Sequence, residues 1–156
     1  MLIALLLAQT TPVQPLPPAN LPPPGAEEAA VLAPVERLFA AIAARDAQAV
    51  LRDARPDGRL TAVVEAADGT KTVRDMSWAE FAQRIGSGTE RAEERSGQPA
   101  VEIDGGIAMV WAPYTFLIAG RVHHCGTNHF DLVRDGDRWK LYNITWSHRT
   151  TGCAAP

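Results

Sequence analysis

Three long strand-like segments fill the last third of the chain, and they restrict its fold more than any other feature. They span residues 107–118, 122–134 and 138–149, and the turn signals Asp104-Gly105-Gly106 and Asp135-Gly136-Asp137 mark their ends. A small domain accommodates strands of this length only if they twist or bend around the core. We therefore predict a strongly curved antiparallel sheet.

Three helical segments are predicted before these strands. In the first, Pro34 is expected in the opening turn, and Asp46 is expected to cap a short second helix. A third helix is predicted from the capping box Ser77-Trp78-Ala79-Glu80, and a hairpin turn from Ala67-Asp68-Gly69-Thr70. The stripe of apolar residues at helical spacing in the first helix is Val35, Leu38, Phe39 and Ile42. The pattern predicts an α+β fold with N-terminal helices packed on the sheet.

The first 26 residues are expected to lie outside this domain, which we assign to residues 27–156. Residues 1–8 form an apolar stretch like the core of a short signal peptide, although no Lys or Arg precedes it. Residues 12–24 contain seven of the twelve prolines, which is typical of an extended linker. We therefore expect a periplasmic or secreted protein with an atypical or truncated signal peptide. The alternative is an apolar but disordered N-terminus.

Charge and hydropathy exclude two classes of partner. All fifteen basic residues and all but three of the eighteen acidic residues lie from Arg37 onward, so the folded part is neutral and has no basic cluster. A nucleic-acid surface needs concentrated Lys and Arg, so nucleic acid is not an expected partner. No apolar run approaches the roughly 20 residues of a membrane-spanning helix, so no stable membrane span is expected.

The last two long segments are expected to form a hairpin centred on Gly136. Regular pairing then places His124 opposite His148, and alternation of side chains gives one face that is mostly apolar. That face would carry Val122, His124, Asn128, Phe130, Leu132, Tyr142, Ile144, Trp146 and His148. Trp139 and Leu141 fall on the polar face in this register, and a bulge near Tyr142 would reverse their assignment.

An apolar wall with a few converging polar groups is typical of a small-molecule pocket. The predicted ligand-binding residues are Tyr114, His124, Asn128, Phe130, Ile144, Trp146 and His148. His124 and His148 are also the candidates for acid–base catalysis, the alternative being that both lie at the sheet rim and bond to backbone or water. Tyr114 and Trp111 are expected in the core, with donation from Tyr114 to a ligand as the alternative. Glu93 and Glu94 are expected on a solvated strand edge.

The two cysteines form an even pair in a chain expected to be exported, so a Cys125–Cys153 disulfide is predicted. The alternative is a nucleophilic thiol beside His124. His123 and His129 are too far apart on one strand to share an ion, so no metal site is expected. The sequence indicates no cofactor.

Several of these residues together resemble a known family. Trp111-Ala-Pro-Tyr-Thr-Phe116, His124-Cys-Gly126 with Phe130 and Leu132, Trp139-Lys-Leu141 and the closing Cys153 are similar to bacterial nuclear transport factor 2-like proteins. That superfamily includes ketosteroid isomerase, scytalone dehydratase and the polyketide cyclases. The resemblance implies a cystatin-like cone with a cavity between sheet and helices, and a homodimer formed through the sheet.

The resemblance also frames the expected function. Isomerase-type chemistry in this superfamily needs a carboxylate in the cavity, and no carboxylate falls on the inner face predicted for the last hairpin, because Asp131 alternates outward. We therefore expect an exported domain that binds a small apolar molecule. The alternatives are an isomerase, dehydratase or cyclase that uses a cavity His, and a dimerisation or interaction module without a ligand.

Overall fold

The computed structural model describes residues 25–153. The signal-like segment and nearly all of the predicted linker lie outside these residues, as do the last three positions. The helices are α1 (Ala26–Ala44), α2 (Ala47–Arg52) and α3 (Trp78–Ser87). The strands are β1 (Arg59–Glu65), β2 (Lys71–Ser77), β3 (Ala92–Ser96), β4 (Ala100–Asp104), β5 (Ile107–Ile118), β6 (Arg121–Asp135) and β7 (Arg138–Arg149).

Helix α1 starts earlier than the sequence pattern suggested. Its first residue is Ala26, so Pro34 lies inside the helix, and the prediction of Pro34 in the opening turn was wrong. A proline there removes one backbone hydrogen bond, and the buried ring offsets part of that loss by packing with the apolar stripe. The buried residues of α1 are Val31, Pro34, Val35, Leu38, Ala41 and Ile42.

The two predicted helix caps are confirmed. The Asp46 side chain accepts hydrogen bonds from the backbone N–H groups of Gln48 and Ala49 at the start of α2. At α3, Ser77 Oγ accepts from Glu80 N (3.2 Å), and Glu80 Oε2 accepts from Ser77 N (2.7 Å). Each cap supplies partners to N–H groups that a helix terminus would otherwise leave without one.

The strands form one seven-stranded sheet, and the helices pack on its concave face. The order is β2-β1-β7-β6-β5-β3, and β4 pairs with β5 beside β3. All pairs are antiparallel except β1 with β7, which run parallel. The predicted α+β class and curved sheet are confirmed, with this one parallel pair as the exception to an antiparallel sheet.

The register of the β6–β7 hairpin differs from simple pairing about Gly136. Phe130 lies opposite Ile144 and Asn128 opposite Trp146, so the predicted directly opposed His124–His148 pair was wrong. A bulge at Tyr142 then shifts the register toward the turn. Because one extra residue reverses side-chain alternation, Trp139 and Leu141 are buried. Tyr142, which we had placed on the inner face, is the extra residue of the bulge and does not line the cavity.

The bulge is held by groups outside the hairpin. The indole Nε1 of Trp78 donates a hydrogen bond to the Tyr142 carbonyl oxygen at 3.0 Å. Gly58 passes so close to this carbonyl that a Cβ there would overlap it. The neighbouring Leu141 exchanges backbone hydrogen bonds with the segment before Gly58, at 2.8 Å to Asp53 and 2.8 Å to Arg55. The bulge is therefore where the helical layer is attached to the sheet.

The predicted disulfide is confirmed. Cys125 and Cys153 are bonded, with their Cα atoms 5.6 Å apart, and neither of the chain's two cysteines is free. The bond fixes the segment after β7 against β6, next to His124. The alternative of a nucleophilic thiol at Cys125 therefore does not apply to this state of the molecule.

Replacing Gly58 with Ala is expected to lower the free energy of unfolding by about 2 kcal/mol, because the backbone at Tyr142 must move to make room. Chemical denaturation measures the change. Gly106→Ala is the matched control, since a Cβ at that turn position meets nothing within 4 Å. Equal stability of the two variants would contradict the close approach.

Candidate functional site

A cavity lies between the concave face of the sheet and helices α1 and α3. Its volume is about 190 Å³ and it is partly open to solvent. The apolar lining residues are Leu38, Phe39, Ile42, Leu60, Met76, Phe81, Ile85, Phe116, Phe130, Ile144 and Trp146, and the polar ones are Arg84, Glu94, Tyr114, His124, Asn128 and His148. All seven residues predicted to bind a ligand line this cavity.

The wrong register nevertheless yielded the right lining residues. The true pairing near Phe130 is offset from the predicted one by two positions, which keeps every residue from 143 to 149 on its assigned face. His124 and His148 are therefore diagonal neighbours on one face. Leu132 is buried in the core and, like Val122, does not line the cavity.

The two histidines stack on each other at the rim. The rings of His124 and His148 are nearly parallel, with centroids 4.0 Å apart, and Phe116 stacks on the other face of His124 at 4.8 Å. A second bulge makes His123 the extra residue between the β5 and β6 pairings. Its Nδ1 atom lies 2.9 Å from Nδ1 of His124, so one ring donates a hydrogen bond and the other accepts it.

The surroundings of these rings disfavour positive charge. Burial lowers the pKa of His124 to about 3, with further contributions from His148 and His123. The pKa of His148 is also lowered, first by burial and then by His123 and Arg74. Both rings are therefore uncharged at neutral pH. His124 is consequently a hydrogen-bonding group there and a poor general acid.

The Tyr114 side chain crosses over Gly126, which has no side chain. Its hydroxyl donates a hydrogen bond to the Ser147 carbonyl oxygen at 3.0 Å, and burial raises its pKa. The hydroxyl proton is already used in this hydrogen bond, so a ligand would donate a hydrogen bond to the phenol oxygen. Trp111, expected in the core beside Tyr114, is instead 53% exposed on the outer face of the sheet.

Glu94 was missed in the sequence and is the carboxylate of the cavity. Asn128 Nδ2 donates to Glu94 Oε1 at 2.6 Å. Burial raises the pKa of Glu94 to about 7, against the opposing effect of that hydrogen bond. The prediction of a solvated strand edge is wrong for Glu94, whereas Glu93 lies outside and pairs with Arg95. A carboxyl group that is partly protonated near neutral pH can act as a general acid or a general base.

Strand β3 is held in place from both sides, which positions Glu94. Arg45, the left-handed residue after α1, donates two hydrogen bonds to the Glu90 carbonyl oxygen, at 2.7 and 3.0 Å. Along the strand, Glu94 lies opposite Phe116 of β5. Ala92 is fully buried, and Glu94, two positions further along the strand, shares its face.

Comparisons with known proteins agree on the fold. No protein-family profile and no curated protein matches the chain. Solved structures do match. An NTF2-like protein with a cystatin-like fold from Novosphingobium aromaticivorans is 16% identical over 81% of this chain and 83% of its own, with a TM-score of 0.64. An NTF2-like protein from Shewanella baltica is 13% identical over 78% and 93%, with a TM-score of 0.59.

A third similar structure is a proposed dehydratase of the NTF2-like family from Streptomyces avermitilis, 16% identical over 77% of this chain and 94% of its own, with a TM-score of 0.61. At such identities the likeness defines the fold. The chain therefore has the nuclear transport factor 2-like, cystatin-like cone fold, as the residues from Trp111 to Cys153 had suggested.

Within residues 25–153, no group of three or more His, Cys, Asp or Glu side chains is arranged to hold a metal ion. None of the helices in that same part of the chain is both long and apolar enough to cross a membrane.

The raised pKa of Glu94 predicts a loss of stability as the pH rises from about 4.5 through 7. Its folded-state pKa of about 7 exceeds the ordinary value of 4.5, so this stabilising contribution is complete below pH 4.5 and is lost as the pH rises through 7. The free energy of unfolding of the wild type, minus that of Glu94→Gln, should fall by about 3 kcal/mol across this window.

Chemical denaturation at a series of pH values measures this difference. Glu93→Gln is the control, because Arg95 holds the pKa of Glu93 below its ordinary value, so its titration lies at more acid pH. Parallel stability curves for the wild type and Glu94→Gln would contradict a raised pKa at Glu94.

Proposed function

We propose that the cone cavity binds a small, mainly apolar molecule and holds one polar group of it at Glu94 and Asn128. The observation that carries the proposal is the lining itself, a mostly apolar wall that contains the hydrogen-bonded Glu94–Asn128 pair. Apolar cavities with a few converging polar groups are the usual form of small-molecule sites.

The size of the cavity limits the ligand. Its volume of about 190 Å³ lies between the roughly 150 Å³ that accommodates benzene and the roughly 300 Å³ at the low end of drug-sized pockets. We therefore expect a ligand with one ring, or an acyclic chain of similar volume. Phe39 and Phe130, which pack edge to face with centroids 6.0 Å apart, offer a ring edge-to-face contacts.

The polar pair defines which group the ligand carries. Below pH 7 the Glu94 carboxyl group is mostly protonated and donates a hydrogen bond, while the Tyr114 oxygen accepts one. A hydroxyl or carbonyl oxygen fits this combination.

Export and a homodimer remain parts of the proposal. The disulfide supports an oxidising compartment, and Trp111 and Ile107, both exposed on the outer face, support contact through the sheet.

Binding is tested with benzyl alcohol, a single ring with one hydroxyl group, in an NMR titration of backbone amide signals. Shifts are expected at cavity residues at millimolar concentrations. Ile144→Phe fills the cavity and should weaken binding by about tenfold, equivalent to about 1.4 kcal/mol. Val73→Phe adds the same bulk at a position that is 65% exposed and should bind as the wild type does. The absence of cavity shifts in the folded wild type would refute the proposal.

A second candidate function is acid–base catalysis of the isomerase, dehydratase or cyclase type. Glu94 favours it, because a carboxyl group with a pKa of about 7 accepts and returns a proton at neutral pH. In this version Glu94 takes the role first considered for His124 or His148, whose rings stay uncharged. The Streptomyces avermitilis neighbour, a proposed dehydratase, supports this candidate through its fold only.

Catalysis is tested by hydrogen–deuterium exchange at the carbon next to the carbonyl of cyclohexanone, followed by NMR in D₂O. Glu94→Gln is expected to slow the protein-dependent exchange by at least about 100-fold. Glu93→Gln, one residue away on the outer face, should exchange at the wild-type rate. Exchange in Glu94→Gln as fast as in the wild type would exclude Glu94 as the base.

A further inference from the structure

Arg84 brings a positive charge to the cavity from the last turn of α3. Among residues 25–153 its guanidinium has no carboxylate within 4.0 Å. Glu80 lies one helical turn earlier and is attracted to Arg84, but the capping box holds its carboxylate against Ser77, where it accepts from both the backbone N–H and the hydroxyl. The charge of Arg84 is therefore available to a ligand.

The sheet register places a second arginine on the same concave face. On β2, Met76 lies opposite Leu60, and both residues line the cavity. Arg74 is two positions from Met76, so it shares that face. It lies opposite Ala62, which in turn pairs with Trp146 of β7. Arg74 is exposed and close enough to His148 to disfavour a charge on that ring.

The groups nearest to these arginines do not neutralise them. His124 and His148 are uncharged, and Glu94 keeps its proton up to about pH 7. The flanking acids Glu65 and Asp75 alternate to the opposite face of the sheet from Arg74, and Glu65 pairs there with Lys71. The mouth of the cavity therefore carries excess positive charge above an apolar interior.

We infer that the ligand is a small organic carboxylate, with its apolar body inside the cavity and its carboxylate between Arg74 and Arg84. This inference rests on the proposed binding function and adds the charge of the ligand. The planar guanidinium matches the two oxygens of a carboxylate. A carboxylate at the mouth keeps the charge of the ligand out of the apolar interior, where it would be costly.

The test compares phenylacetate with phenylacetamide, which has nearly the same shape and no charge, by NMR titration at pH 6.5 and low salt. The wild type should bind phenylacetate about tenfold more tightly, and added salt should reduce the difference. Arg84→Gln and Arg74→Gln should each weaken phenylacetate binding by about fivefold. Phenylacetamide binding should not change. Both positions are exposed, so both variants are expected to fold.

Arg138→Gln, at the hairpin turn far from the mouth, is the matched control and should bind both probes as the wild type does. Equal affinity for the two probes, or arginine variants that leave phenylacetate binding unchanged, would overturn the inference while the cavity proposal stands. If neither probe nor benzyl alcohol binds the wild type, the proposed function itself fails.

Discussion

The bulge at Tyr142 is the constraint on which the domain depends. Without it, strict alternation along β7 would place either the residues near the turn or those near the C-terminus on the outer face of the sheet. With it, Trp139 and Leu141 fill the core, and Ile144 and Trp146 line the cavity. One strand thereby contributes residues both to the packed core near the hairpin turn and to the cavity lining near its C-terminal end.

The cost of the bulge is an unpaired carbonyl, and the helical layer supplies its partner. Trp78 provides the donor to Tyr142, and its position follows from the capping box that starts α3 at that residue. Gly58 provides the space. Three separate sequence features, a cap, a turn glycine and an extra strand residue, thus meet at one point. Because α3 also carries Arg84, this attachment fixes the cavity mouth relative to the sheet.

Inside the cavity, low polarity decides the protonation states. Burial moves the pKa of Glu94 up and that of His124 down, so both groups favour their neutral forms over the same pH range. Hydrogen bonds from Asn128 to Glu94 and between His123 and His124 satisfy them without charge. Formal charge remains at the mouth, where solvent reaches it. An amphipathic ligand would match this gradient from a neutral interior to a charged rim.

Much of this arrangement was readable from local rules, and the exceptions have physical causes. Alternation identified the lining residues of β6 and β7 because the register error was an even number of positions. It failed at Tyr142 because a bulge depends on partners distant in sequence, such as Gly58 and Trp78. The burial of Glu94 could not be predicted because β3 is short and mostly charged, and only its pairing with β5 reveals which face is buried. Burial of a carboxylate is a tertiary property: Asn128, the hydrogen-bond partner of Glu94, lies 34 residues away in the chain, and local composition carries no trace of that contact.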